Sequence, residues 1–298
     1  MEKQVNSGVT YAQIDAFTDR MFGGNPAAIC YLPEERTHEW MQLVAKEFNL
    51  SETAFLLKIP NTHSNNEFSL RWFTPKVEGV CLSFEQVDLC GHATLASAHF
   101  LFSQHGGLLD TKTIVFHTRS GILTAKRVGD GGRLIELDFP LIPISECDAD
   151  DLELVKSALG SADIVWAGKP GGHGYLVEVS STDELKSLKP DFQKMLVFGG
   201  RGDLIVTAAG GHDAQLDFTS RFFCPKAGIL EDPVTGSAHC VLAPYWASKL
   251  QKDTLNAYQA SERGGHLCVA VDRLENRVRL QGHAVTVMKG VLLDNGSY

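Results

Sequence analysis

The chain has 298 residues, 44% hydrophobic and 21% charged, with 28 glycines, which is enough for about two domains of roughly 150 residues and excludes a fibre, a linker or a disordered tail. Thirty-six acidic against 27 basic residues leave a net charge of −9, and no stretch gathers enough positive charge to neutralise a run of phosphates, so nucleic acid is excluded as a partner. No apolar run approaches the roughly 18 residues that span a bilayer and the polar start lacks the core of a secretory signal, so no membrane partner and a cytoplasmic location are expected.

In chain order, a strand is predicted over 12–17, followed by an amphipathic helix over 37–48 with Thr37 as N-cap, Glu39 in its first turn, and Trp40, Leu43, Val44 and Phe48 on one face. Asn49 closes that helix. Alternating or β-branched composition predicts strands over 54–59 and 68–73. Residues 93–102 are apolar on nearly every side, the pattern of a helix enclosed by other structure. Strands follow over 113–117 and 134–139, and the polar or glycine-rich stretches 128–133 and 146–151, with Pro140 and Pro143 between them, mark a crossing between domains near residue 140. The expected domains are therefore 1–140 and 141–298, with the last strand free to cross back to the first domain. The second half repeats the pattern, with strands over 175–179 and 204–208, an enclosed helix over 237–250 and strands over 267–270 and 277–280. The class is α+β.

Internal similarity supports two copies of one unit. Arg71-Trp72-Phe73-Thr74-Pro75-Lys76 is echoed by Arg221-Phe222-Phe223-Cys224-Pro225-Lys226, and each precedes a glycine that opens an alanine-rich segment, Gly91-His92-Ala93-Thr94 and Gly236-Ser237-Ala238-His239. Two pseudo-equivalent halves with a cleft between them are expected.

A helix start with a glycine beside it lets a carboxylate approach unpaired N–H groups and the positive end of the dipole. Gly91, Gly236 and Ser237 are therefore candidates for holding a small acid, although such glycines also simply close tight loops. Glu52, between the amphipathic helix and an apolar strand, can act as a proton-transfer group if half-burial raises its pKa. His92 at a helix start is expected to be neutral, and Asp232 before Pro233 serves either as a turn residue or as a polar site group. The seven cysteines include no C-x-x-C pair, so reduced thiols are expected. Eleven histidines include no H-E-x-x-H, and no metal is expected. The clusters Gly171-Gly172-His173-Gly174 and Gly199-Gly200-Arg201-Gly202 lack nucleotide-binding fingerprints and read as turns. Arg201-Gly202-Asp203 reads as a chance tripeptide.

Taken together, Ile14-Asp15-Ala16-Phe17-Thr18, Gly24-Asn25-Pro26-Ala27-Ala28, Ser51-Glu52-Thr53-Ala54-Phe55, Cys90-Gly91-His92-Ala93-Thr94, Glu231-Asp232-Pro233-Val234-Thr235-Gly236-Ser237-Ala238 and Gln259-Ala260-Ser261-Glu262-Arg263-Gly264-Gly265 resemble the PhzF, or phenazine biosynthesis-like, proteins within the diaminopimelate epimerase superfold. The resemblance spans nearly the whole chain in order. It implies two domains, each a β-barrel-like sheet around a central helix, and a cofactor-free isomerase that moves a proton on a cyclic unsaturated carboxylic acid. Carried over by position, Glu52 matches the general acid/base, His92 and Asp232 match groups that assist it, and Gly91, Gly236 and Ser237 match the substrate cradle. The expected partner is a small carboxylate substrate, and a second copy of the chain is a candidate partner.

Two other readings stay open. A racemase or epimerase of the same superfold uses one thiol from each half, but Cys90 is matched in the second repeat by Thr235, whose hydroxyl is no thiolate at neutral pH. A metabolite-binding or protein-interaction module on the same fold is the alternative from outside catalysis. It draws support from Gly79–Gln86, which reads as an inserted block between Glu78 and Val87 and is expected to form a surface excursion.

Overall fold

The computed structural model describes residues 8–60, 65–76, 78, 90–103 and 108–293. They fall into two compact units, one holding the described residues up to 78 with 90–137 and 282–293, the other holding 138–281. The block Gly79–Gln86 lies outside the described residues.

The first unit contains β1 (Val9–Ala16), β2 (Asn25–Leu32), β3 (Glu52–Lys58), β4 (Glu67–Phe73), β5 (Thr113–Thr118), β6 (Gly121–Val128) and β7 (Leu134–Pro140, which runs across the boundary between the units), together with β16 (Ala284–Leu292) from the far end of the chain. They pair in the order β16-β1-β2-β3-β4-β5-β6-β7, antiparallel except for β2 with β3 and β4 with β5. A parallel pair needs a crossover, and here each crossover is a helix. α1 (His38–Phe48) joins β2 to β3; Thr37 accepts from the Trp40 N–H at its start, and Asn49 ends it in the left-handed conformation at φ 49°. α2 (Gly91–Phe102) joins β4 to β5 and packs against β1, β2, β3, β6 and β16, so the strands wrap it and bury every residue but His99.

The second unit contains β8 (Ile144–Glu146), β9 (Ile164–Pro170), β10 (Tyr175–Val179), β11 (Leu204–Ala209), β12 (Phe218–Phe223), β13 (Thr254–Gln259), β14 (Gly265–Asp272) and β15 (Arg277–Gly282). Its order is β8-β9-β10-β11-β12-β13-β14-β15, again antiparallel except at β10 with β11 and β12 with β13. The sequence of pairing senses is the same in both units. Strand for strand, β8 to β15 repeat β16 followed by β1 to β7, and the strand that opens the second unit is supplied in the first by the end of the chain. The crossovers match too: α4 (Thr182–Ser187) and α5 (Phe192–Met195) stand where α1 does, and α6 (Gly236–Leu250) stands where α2 does. In the core of this unit Trp246 of α6 stacks on Phe218 and donates its indole N–H to Thr207 at 3.0 Å, so its buried donor is satisfied.

Several boundaries differ from the sequence reading, and the strand expected over 12–17 runs Val9–Ala16, with Phe17 in the turn that follows. Residues 146–151, read as a linker, instead end β8 and start α3 (Ala149–Leu159), because Asp148 and Asp151 form a reciprocal capping box. The strand expected from residue 54 begins at Glu52, and both enclosed helices begin at their glycine. Glu52 is thus fixed in a ladder, and Gly91 and Gly236 are themselves first-turn residues.

Candidate active site

In the first unit, α1 delivers the chain through the left-handed Asn49 to Ser51, and Glu52 pairs with Ala27 as the first residue of β3. Glu52 is half-buried. The turn between β1 and β2 holds Phe17, Phe22 and Gly24 at positive φ; a Cβ on Gly24 would strike the Ala16 carbonyl, so only glycine lets the chain enter β2 here. Asn25 follows, fully buried, and accepts from Ser51 Oγ at 3.1 Å. His92, the second residue of α2, brings Nε2 to 3.4 Å from Ser51 Oγ and Nδ1 to 3.7 Å from Cys90 Sγ. Burial pushes the His92 pKa down to about 4, so its imidazole is neutral at neutral pH. The structure therefore brings His92 onto the residue that precedes Glu52.

In the second unit, the buried Asp232 donates its backbone N–H to Phe222 O at 3.0 Å, and its carboxylate accepts from the Thr235 hydroxyl. Gln259 of β13 ties the same segment down: its Nε2 donates to Asp232 O at 2.7 Å and its Oε1 accepts from Thr235 N–H at 2.9 Å. Gly236 is buried and Ser237 half-buried at the start of α6. Neither α2 nor α6 has a side-chain cap bond from the residue before it. In both helices the i−4 carbonyl at the start is taken by a side chain, Thr94 Oγ1 donating to Cys90 O at 2.7 Å and His239 Nδ1 to Thr235 O at 2.8 Å. Glu52, Gly91 and His92 thus belong to the first unit, and Asp232, Gly236 and Ser237 to the second.

Ladder registers make the repeat exact to the residue where sequence similarity fades. Phe73 pairs with Thr53, and its repeat Phe223 pairs with Leu204, so Asp203 occupies in the second unit the position of Glu52. Their surroundings differ. Asp203 is fully buried, accepts from His173 Nδ1 at 2.7 Å and from the Gly174 N–H, and lies 3.6 Å from Arg201 Nε. Burial alone would raise the Asp203 pKa, but His173, Arg201 and the Gly174 N–H hold it below the usual carboxylate value. The two glycine clusters are the turns that carry His173 and Asp203 to each other.

A second repeated feature is an arginine fork. Arg71 donates Nε to Glu78 Oε1 at 2.6 Å and a terminal nitrogen to Oε2 at 2.9 Å, and Arg221 holds Glu231 in the same way at 2.7 and 2.9 Å. Each guanidinium also lies over the phenylalanine two residues on, at 5.3 Å from Phe73 and 4.8 Å from Phe223. These forks explain the echoed Arg-x-Phe motif. Glu231 is the residue before Asp232, so its fork holds the segment that carries that carboxylate.

Among the described residues no group of three or more His, Cys, Asp or Glu side chains is arranged to hold a metal ion, and no helix is long and apolar enough to cross a membrane. The described cysteines are free thiols.

A family profile described as phenazine biosynthesis-like protein matches residues 14–290. An uncharacterized isomerase of Halalkalibacterium halodurans is 45% identical over 94% of this chain and 97% of its own. A crystal structure of a PhzF-family phenazine biosynthesis protein of Enterococcus faecalis superposes with a TM-score of 0.82 at 37% identity, covering 95% of this chain and 98% of that one. A hydroxyproline epimerase of Agrobacterium vitis shares the fold at a TM-score of 0.56 and 9% identity, over 98% and 94% of the two chains.

Proposed function

The chain belongs to the phenazine biosynthesis-like family and is an isomerase, and on that premise we propose that it moves a proton on a small, cyclic unsaturated carboxylic acid, without a cofactor, using Glu52 as general acid/base. The observation that carries this reading is the contrast between Glu52 and Asp203. At one ladder position, the second unit seals a fully buried carboxylate into a bond with His173, whereas the first sets a half-buried glutamate at the head of a strand, directly after a serine whose hydroxyl lies against a neutral histidine. A carboxyl fixed by a ladder has the positional precision that proton transfer requires.

In the proposed step the Glu52 carboxylate accepts a proton from an sp³ carbon of the substrate. The C–H electron pair becomes part of the conjugated system, a double bond shifts, and the Glu52 carboxyl returns the proton to another carbon. Nothing is oxidised or reduced. Asp232, Gly236 and Ser237 are the substrate-holding set contributed by the second unit, and Gly91 that of the first, with uncapped first-turn N–H groups matched to a carboxylate.

A two-thiol racemase is disfavoured because the partner position of Cys90 is Thr235, whose hydroxyl donates to Asp232. Cys90→Ala is therefore expected to keep activity within about an order of magnitude; complete loss in a folded variant would restore the racemase reading. The reaction itself is tested by incubating the protein in deuterium oxide with a panel of cyclic and amino-acid-derived carboxylates and following C–H exchange by mass spectrometry and NMR. Exchange at one carbon of a cyclic unsaturated acid is expected. Ligands that raise the melting temperature yet never exchange would leave a metabolite-binding module instead.

A further inference from the structure

The hydroxyl of Ser51 has three polar neighbours: Asn25 Oδ1 at 3.1 Å, the Pro26 carbonyl at 3.3 Å and His92 Nε2 at 3.4 Å. A serine hydroxyl has a single proton to donate. The Pro26 carbonyl and Asn25 Oδ1 can only accept, and both lie nearer to Ser51 Oγ than the imidazole does, which favours the proton on that side and turns the lone pairs of Ser51 Oγ to the ring. A ring nitrogen facing lone pairs is bound only when it carries the hydrogen. The other nitrogen, Nδ1, faces the Cys90 thiol at 3.7 Å, which has a proton to offer.

From this geometry we infer that Ser51, oriented by Asn25 and the Pro26 carbonyl, is a positioning residue that fixes His92 as the Nε2–H tautomer, with Nδ1 accepting from Cys90. The inference rests on the reading above that His92 belongs to the reacting site, and it specifies what the imidazole offers there. A ring locked in this way supplies a fixed dipole and no mobile proton, which leaves proton transfer to Glu52.

The internal repeat supports treating these residues as one device. The ladder registers pair Ala28 with Thr53 and Tyr175 with Leu204, so Asn25 corresponds to Gly172 and Ser51 to Gly202, while His92 corresponds to Ser237 at the helix start. Where the second unit lacks the imidazole, it also lacks the hydroxyl and the amide that would orient one.

The test is the nitrogen chemistry of His92 in ligand-free, ¹⁵N-labelled protein, read by long-range proton–nitrogen correlation and assigned with His92→Gln. Nε2 is expected to carry the proton and Nδ1 to resonate as a bare nitrogen across about pH 5 to 8. Ser51→Ala is expected to mix the two tautomers and lower kcat about tenfold with KM little changed, and Ser51→Thr, which restores the hydroxyl, is expected to recover both. A proton on Nδ1 in the native protein, or an unaltered Nε2–H tautomer in Ser51→Ala, would overturn the inference. Because the nitrogen signals are read without turnover, they decide this point whether or not the exchange reaction is found.

Discussion

Asp203 shows what the Glu52 position becomes when its neighbours close over it: a carboxylate with no exposure, bound to His173 and to a backbone N–H. Removing one partner of such a pair leaves the other buried and uncompensated. Asp203→Ala is therefore expected to cost about 3 kcal/mol in urea denaturation while leaving C–H exchange under native conditions within a few-fold; a variant as stable as the parent would show that the pair is dispensable. At this scale the sequence was only half legible. Glu52 stands out through its family motif, whereas Asp203 sits in what reads as a chance Arg-Gly-Asp, and its kinship to Glu52 exists only in the strand register. Ser51, Asn25 and Gln259 act through hydrogen bonds across 24 or more residues of chain, and no local pattern marks such partners.

Strands and helices repeat with their fixings. Arg221 holds Glu231 in a fork and also donates to the carbonyls of Leu185 and Leu188, at 3.1 and 2.8 Å. Among the described residues Arg71 donates to Glu78 alone, and Glu78 keeps Arg119 at 3.0 Å and His38 at 3.3 Å as further partners. Arg221→Met is thus expected to destabilise more than Arg71→Met, by about 1 to 2 kcal/mol for the extra carbonyls left unpaired, and to lower kcat because the Asp232 segment loosens. Equal melting temperatures for the two variants would contradict this ranking. The arginine echo is visible in the sequence, but the glutamates are not, since they lie seven residues on in one unit and ten in the other. β2 escapes alternation rules because six of its eight residues are buried, on both faces. α3 hides behind an acidic stretch that is its own capping box.

Across the whole molecule, three histidines with lowered pKa values set an acid limit. His92, His99 and His239 have pKa values lowered from 6.5 to about 4, in each case chiefly by burial. Their folded values lie below the unfolded one, so unfolding takes up protons between about 4 and 6.5, and the stability they contribute is complete above that window and lost as pH falls through it. Denaturant midpoints are expected to fall steadily from pH 6.5 to pH 4, with a shallower slope in His99→Gln. A flat profile there would show that these rings ionise in the folded protein. The duplication itself was legible from composition and echo, because two enclosed helices and two proline turns recur; the shared order of pairing senses needed the structure.

The account turns on Glu52 as the group that moves the proton, and the most direct measurement is solvent-deuterium exchange by Glu52→Gln beside the parent protein, with a thermal melt of each. The substitution keeps size and hydrogen bonding but removes proton transfer, so exchange is expected to fall by at least about 10²-fold with the melting temperature nearly unchanged. A folded Glu52→Gln protein that exchanges at the parent rate would contradict it.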